Sequence, residues 1–312
     1  MKVLVFGAGG VGSVVGGLLA RMGHEVSLIG RARHLEPIRK EGLRITGIWG
    51  DYQIRALDVY TSAAELGPQS FDLILLTVKA YDTAQAVEEI TPLIKDDTIL
   101  LSLQNGLNNL EAILKKIHAT QVLMGCVPVG VECSPGAAKV TVQYDSLVIG
   151  PVLGGSSAAP RIAAALTLSK IPTKPVDYIV PFLWAKAIYN CALNGICTLL
   201  EIPYGKILER DETRRWMEDI VRECYAVASK KGIALEPPMA DAFIDLLLKS
   251  LIPKTAAHFP STLQDLKRGK KTEIEFINGA VCRYGQETRV PTPQNRRITD
   301  EVLKKYLTSN KK

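Results

Sequence analysis

The sequence is sparing with the features that mark several protein classes. No two of its six cysteines, at 126, 133, 191, 197, 224 and 282, stand as Cys-x-x-Cys, and its four histidines are scattered. This excludes a disulfide framework and a zinc site from the reading, and no metal is expected. A dense Lys/Arg block and an aromatic RNP-like motif are both missing. With 38 Lys and Arg against 32 Asp and Glu, the net charge is only +6. That excess suits an anionic small molecule and gives no ground for a nucleic-acid partner. Low-complexity bias and an internal repeat at a solenoid period are absent too.

From 3 to 20 the chain is uncharged and mostly apolar, which resembles a signal peptide or a membrane anchor. Six glycines in that run argue otherwise: they suit a strand, a turn and a helix better than a spanning segment. The protein is expected to be soluble and cytoplasmic, with no membrane partner.

What is present is globular material: 312 residues, 47% hydrophobic and 22% charged, enough for about two domains. In the first half, short apolar runs at 2–7, 24–29, 71–78, 98–103, 122–128 and 147–151 alternate with helical patterns. Such alternation predicts a parallel sheet covered on both faces. A strand-rich excursion is read over 42–59, a helix over 158–169, and a linker at 172–175, where two prolines stand. From Pro181 onward, long helical patterns are separated by Pro- and Gly-marked turns, among them Pro203-Tyr204-Gly205.

Gly7-Ala8-Gly9-Gly10-Val11-Gly12 is a Gly-x-Gly-x-x-Gly run set directly between a strand and a helical stretch. Gly7 permits a tight turn, Gly9 lets backbone approach a pyrophosphate, and Gly12 lets the helix pack close to the strand. The helix N-terminus then offers amide donors to the anion. The expected architecture is therefore α/β: an N-terminal Rossmann-type dinucleotide-binding domain over 1–173, followed by an all-helical C-terminal domain over 174–312. After the second strand the chain reads Gly30-Arg31-Ala32-Arg33, with no acid to hold a ribose hydroxyl. Arg31, helped by Arg33, is the candidate 2′-phosphate contact, so NADPH is the expected cofactor. Lys79 and Asn105 follow later strand ends, where doubly wound sheets place ligands. A lysine there is also an ordinary solvated residue, and Asn-Gly an ordinary turn.

The segment 181–200 is apolar almost all the way round, as a helix through a core should be. Its polar exceptions are ordered: Lys186, Asn190 and Asn194 fall at i, i+4 and i+8, within an arc of about 80°. Burying such groups unpaired costs several kcal/mol each, roughly, so they either pair in the core or line a wet cavity. A second piece, 271–284, is projected as one helix with Ile274, Ile277, Val281 and Tyr284 on its apolar face. Glu273 shares that face and Glu275 points away. Ser261 or Thr262 is read as the cap of a further helix, and the charge run 267–271 as a solvated turn.

Six blocks in order, GAGGVG at 7–12, TVKAYD at 77–82, LQNGL at 103–107, LWAKAIYNCALN at 183–194, STLQD at 261–265 and TEIEFINGA at 272–280, resemble the ketopantoate reductases (2-dehydropantoate 2-reductases) over essentially the whole chain. The resemblance implies NADPH-dependent reduction of 2-dehydropantoate, a 2-oxo acid, to (R)-pantoate on the route to pantothenate and coenzyme A. It implies Lys186 as proton donor to the C2 oxygen, with Asn190, Asn194 and Ser261 positioning the substrate. It also implies Asn105 between nicotinamide and substrate, Glu273 touching the cofactor or orienting the site, and Lys79 helping to hold the reactants. Hydride arriving at a carbonyl carbon leaves negative charge on oxygen, and an ammonium aimed there stabilises and protonates it.

Members often carry Asn-x-Ser-Ser-Met where this chain has His258-Phe259-Pro260-Ser261-Thr262, and some carry asparagine where it has Tyr204. These differences bear on the substrate, so the alternative is a paralogue reducing another branched 2-oxo acid. A non-catalytic NADP-binding protein would be expected to lose the lysine stripe or the buried glutamate, and both are present. Helical second domains of this kind often mediate dimers, so a homodimer is expected.

Overall fold

Apolar runs of four or five residues become the central strands: β1 (Lys2–Phe6), β2 (Glu25–Ile29), β6 (Leu73–Leu76), β7 (Ile99–Ser102), β8 (Val122–Cys126) and β11 (Leu147–Pro151). Leu4, Leu28 and all four residues of β6 have no exposed surface. Each such side chain contributes roughly 1.5–3 kcal/mol of burial. With β5 (Asp58–Tyr60) and β12 (Thr173–Pro175) they form one eight-stranded sheet in the order β12-β11-β8-β7-β6-β1-β2-β5. The sheet is parallel except where β11 runs antiparallel to β8, a departure from the all-parallel expectation. The computed structural model describes residues 1–309, and in it the chain divides into two units, 1–104 with 109–179, and 105–108 with everything from Val180 onward.

The first unit holds a second sheet that sequence patterning captured only in part. β3 (Leu43–Gly47) and β4 (Tyr52–Ile54) come from the excursion at 42–59, but their partners β9 (Val129–Ser134) and β10 (Ala137–Gln143) were not predicted. The order is β4-β3-β10-β9. Helix α1 (Gly10–Arg21) lies between the two sheets, with nine of its twelve residues buried. A Cβ on Gly17 would meet Ile45 and Leu43 of β3 at 2.8 Å, so a glycine there lets the small sheet close over the helix. Helices α2 (Ala32–Glu41), α3 (Thr83–Ile90), α4 (Asn109–Leu114) and α5 (Ala158–Leu168) complete the unit.

The linker reading of 172–175 is corrected. Thr173–Pro175 is an edge strand in parallel register with Leu147–Ile149. Pro175 is tolerated because an edge strand leaves one side of its backbone unpaired.

Among its described residues the second unit holds helices and turns and no strand: α6 (Val180–Leu200), α7 (Asp211–Lys230), α8 (Ala240–Leu246), a π-turn over Leu247–Leu251, α9 (Ile252–Lys254), α10 (Ser261–Lys267), α11 (Asn278–Thr288) and α12 (Pro293–Ser309). Ile188, Leu193 and Ile196 of α6 pack with Met217 and Ile220 of α7 and with Ile298 and Val302 of α12. Glu223 of α7 accepts the amides of Gln294 at 2.8 Å and Asn295 at 3.0 Å, so a carboxylate meets the positive end of α12.

The helix expected over 271–284 is broken. A 3-10 turn, Ile274–Phe276, precedes α11, and the chain kinks at Ile277. Three tertiary bonds account for the break. The Phe276 carbonyl is taken by the amide of Leu107 at 3.2 Å. Buried Asn278 donates to the Cys191 carbonyl at 3.2 Å and to Asn295 Oδ1 at 3.0 Å.

Candidate active site

In the first unit the sheet register sets four strand ends in one row: Phe6 is level with Ile29 and Leu76, and Leu76 with Ser102. The segments that follow, at 7, 30, 77 and 103, therefore leave from a common edge, which brings the glycine turn together with Arg31 and Lys79. Gly7 has φ +110°, and a Cβ there would come within 2.5 Å of the Val78 amide nitrogen. A Cβ on Gly12 would lie 2.5 Å from both the Gly7 carbonyl oxygen and Thr77 Oγ1. Thr77 Oγ1 donates to that carbonyl at 2.8 Å and closes the turn.

Gly9 differs from both. The nearest atom to its added Cβ is 4.0 Å away, so this glycine faces open space. The first amides of α1 lack intrahelical acceptors, and Ala8 and Val11 complete the turn that carries them, as Gly10 opens the helix. A backbone cradle open at Gly9 and shut at Gly7 and Gly12 fits a pyrophosphate.

Arg31 is exposed, stands at the N-cap of α2, and makes no ion pair among the described residues. No carboxylate holds it back from an anion. Lys79 is half-buried, on the segment after β6. That segment is tied down by a buried network the sequence reading did not include. Gln104 Nε2 donates to the Val78 carbonyl at 3.0 Å and to Thr83 Oγ1 at 2.7 Å. Ser102 Oγ donates to Gln104 Oε1 at 3.0 Å. The signal was available: Ser102 and Gln104 are polar residues at the end of an apolar strand.

In the second unit α6 carries the predicted stripe. Lys186 and Asn190 are half-buried, and Asn194 is 3% exposed. Asn194 is held: Tyr204 donates its hydroxyl to Asn194 Oδ1 at 2.5 Å. Tyr204 is held in turn, since its amide bonds the His258 carbonyl at 3.0 Å and its ring meets His258 edge-on at 5.3 Å. On its other side lies Tyr189 at 5.9 Å, also edge-on. Burial pushes the Tyr189 phenol up to about 12. It stays a donor to Thr255 Oγ1, at 2.9 Å, while Thr255 donates onward to the Leu251 carbonyl. Two of the positions that depart from the family pattern, Tyr204 and His258, are thus packed together behind the stripe.

Asn105 is half-buried in the short piece of chain that belongs to this unit. Gly106, at φ +92°, sits against the Phe276 carbonyl, 2.6 Å from an added Cβ. Because the Phe276 amide bonds the Glu273 carbonyl at 2.9 Å, Asn105 and Glu273 are brought to one neighbourhood. Glu273 is 5% exposed, whereas Glu275 pairs with Lys271 at 3.6 Å. Ser261 is exposed at the first residue of α10 and, contrary to the capping expectation, its hydroxyl caps nothing; Pro260 holds the N-cap position and its carbonyl takes the amides of Leu263 and Gln264. The run 267–271 is exposed, Lys267 closing α10 and the other residues forming the turn after it. Among the described residues no cluster of His, Cys, Asp and Glu is arranged to hold a metal ion.

These features define a dinucleotide-binding protein with a Rossmann-type sheet and a helical second unit. The chain belongs to the ketopantoate reductase family: the family model for ketopantoate reductase PanE/ApbA matches residues 3–154, and that for its C-terminal part matches 179–306. It is 33% identical to the 2-dehydropantoate 2-reductase of Aquifex aeolicus over 310 residues, 98% of this chain and 97% of that one. Among solved structures it is similar to a PanE/ApbA family ketopantoate reductase from Ralstonia eutropha JMP134, 33% identical with TM-score 0.88, covering 99% and 100% of the two chains. It is also similar to a D-mandelate dehydrogenase solved with NADH and anilino(oxo)acetate, 29% identical with TM-score 0.89 over 99% of each chain.

Proposed function

We propose that this protein is an NADPH-dependent 2-dehydropantoate 2-reductase that forms (R)-pantoate for pantothenate and coenzyme A synthesis. The observation that carries the reading is the α6 stripe, an ammonium and two carboxamides on one line of an otherwise apolar helix. NADPH, when bound, supplies the hydride. The residues 7–12 hold its pyrophosphate with backbone, and Arg31 takes the 2′-phosphate. Lys186 faces the C2 oxygen, stabilises the charge that grows there and delivers the proton. Asn190, Asn194 and Ser261 orient the 2-oxo acid, Asn105 and Glu273 serve cofactor and substrate together, and Lys79 helps to hold the reactants. In this reading 1–173 binds the cofactor and 174–312 carries the substrate-binding and catalytic residues.

The mild positive charge supports a small anionic substrate and no nucleic-acid partner. No described helix is long and apolar enough to cross a membrane; the proposal places the enzyme in the cytoplasm. A homodimer is part of the proposal, with light scattering as its check.

A second reading keeps cofactor and proton donor but changes the 2-oxo acid. It is favoured by the commitment of Asn194 to Tyr204, and by the similarity to a D-mandelate dehydrogenase. NADPH oxidation with 2-dehydropantoate, beside 2-oxoisovalerate, pyruvate and phenylglyoxylate, decides between them. The proposal expects the highest kcat/KM on 2-dehydropantoate and a clear preference for NADPH over NADH. A higher value on another 2-oxo acid selects the second reading.

A further inference from the structure

A buried polar pair stands where two helix starts of the first unit meet. Ser13, in the first turn of α1, has no exposed surface, and His34, in the first turn of α2, is 9% exposed. Ser13 Oγ and His34 Nε2 are 2.9 Å apart. His34 Nδ1 lies 2.9 Å from the Ser134 carbonyl oxygen at the end of β9. A carbonyl only accepts, so Nδ1 carries the proton, Nε2 is the acceptor and Ser13 is the donor. The amide of Gly136 bonds the His34 carbonyl at 3.3 Å, which fastens α2 to the small sheet a second time.

These bonds join into one path. The Ser13 amide donates to the Gly9 carbonyl at 2.9 Å, its hydroxyl donates to His34, and the His34 amide donates to the Arg31 carbonyl at 2.9 Å. The path begins at the glycine that faces open space and ends at the exposed guanidinium-bearing residue. It passes through two buried side chains, and the second, His34, is also tied to β9 through Nδ1 and the Ser134 carbonyl. Arg31 is on the surface and makes no ion pair among the described residues, so its placement relative to the glycine turn is set by backbone: on one side by the Ile29 carbonyl, which takes the amides of Gly7 at 3.0 Å and Ala8 at 2.7 Å, and on the other by the first turn of α2. The His34 imidazole is the only side chain of that first turn inserted toward α1 with a hydrogen bond to it.

We infer that His34, anchored by Ser13, is a positioning residue that sets Arg31 at a fixed distance from the glycine turn and so selects dinucleotides phosphorylated on the adenosine ribose. The inference rests on the NADPH reading above and adds to it the side chains that make Arg31 selective. Arg31 supplies the charge; His34 and Ser13 supply the spacing.

Calorimetric titration of the whole protein tests this without turnover. The probes are NADPH, NADH, 2′,5′-ADP and 5′-AMP, and the variants are Ser13→Ala, His34→Leu, His34→Gln and Arg31→Ala. Arg31→Ala sets the full loss of 2′-phosphate preference. Ser13→Ala and His34→Leu are expected to raise Kd for NADPH and 2′,5′-ADP about tenfold, the scale of one lost buried hydrogen bond, and to leave NADH and 5′-AMP nearly unchanged. His34→Gln, which keeps an amide that can meet Ser13, is expected to recover most of the preference. Equal weakening of all four probes would make the pair merely structural and overturn the inference. An unchanged preference in Ser13→Ala would overturn it as well, and that variant removes a single oxygen, so it answers the question even if His34→Leu does not fold. A wild-type protein that binds NADH as tightly as NADPH would instead overturn the cofactor reading, and the inference with it.

Discussion

At the head of β1 the chain removes side chains, four glycines in six residues, whereas along α6 it places three polar ones on an apolar helix. The first region presents backbone amides, and its specificity lies in what is absent: a methyl group at Gly12 has nowhere to go, and one at Gly9 has room. The second presents an ammonium and carboxamides, whose use depends on what else is buried beside them. Asn194 shows this, since its carbonyl is already committed to Tyr204. A site made of backbone is governed by sterics within a few residues, and one made of side chains by partners that the fold supplies. Substitutions can break or sharpen that contrast.

The largest effect is expected at the side-chain site. Lys186→Ala should lower kcat/KM by about 10²-fold or more, the scale of a lost general acid, with NADPH affinity little changed. Steady-state kinetics together with NADPH titration check it, and wild-type-like turnover would remove Lys186 from proton donation. At the backbone site two alanines should behave differently. Gly12→Ala forces a methyl against a carbonyl and a hydroxyl, an overpacking cost of about 1–3 kcal/mol, and should lower both thermal stability and cofactor affinity. Gly9→Ala should weaken NADPH binding while leaving the melting temperature in place, because nothing in the protein meets the new methyl. Equal melting curves for the two variants would undo the steric contrast.

Tyr204→Phe leaves Asn194 Oδ1 without its donor in a buried place, a cost of roughly 1–3 kcal/mol. We expect a lower melting temperature and a KM for the 2-oxo acid raised several-fold, with KM for NADPH unchanged. An unaltered substrate KM would make Tyr204 a packing residue alone.

The smallest expected effect is one of pH. Burial lowers the His34 pKa from its ordinary 6.5, and burial together with the nearby N-terminal amine lowers that of His24. The unfolded chain therefore binds more protons as pH falls through that range. The stabilisation is fully present above about pH 6.5 and is lost as pH drops toward the depressed folded values. Melting temperatures measured across this range should fall on the acid side, and His34→Gln should flatten part of the slope. A slope identical to wild type would assign the effect to His24 and other groups.

Much of the first unit was legible because its rules are local. Apolar runs marked six of the eight strands of the large sheet, all but the edge strands β5 and β12, and the glycine spacing marked the turn. The spacing of Lys186, Asn190 and Asn194 needed only the helical period to be read as one stripe. Strands β9 and β10 were not legible, because their half-exposed residues carry no continuous apolar run and the pairing of β10 with β3 joins segments far apart in the chain. The break at Ile277 was hidden for a similar reason: the apolar spacing over 271–284 is helical, and bonds to Leu107, Cys191 and Asn295 override it.

The sequence by itself determined the α/β order of elements, the backbone cradle, the placement of Arg31 after the second strand and the polar line on α6, since each depends on residues within a few turns of one another. Only the tertiary structure decided which polar groups were already spoken for. His34 finds Ser134 a hundred residues away, Glu223 caps a helix that begins seventy residues later, and Tyr204 reaches Asn194 because its own turn is bonded to His258. A hydrogen bond needs its partner within about 3 Å, and no local period encodes a distance between segments that meet only on folding.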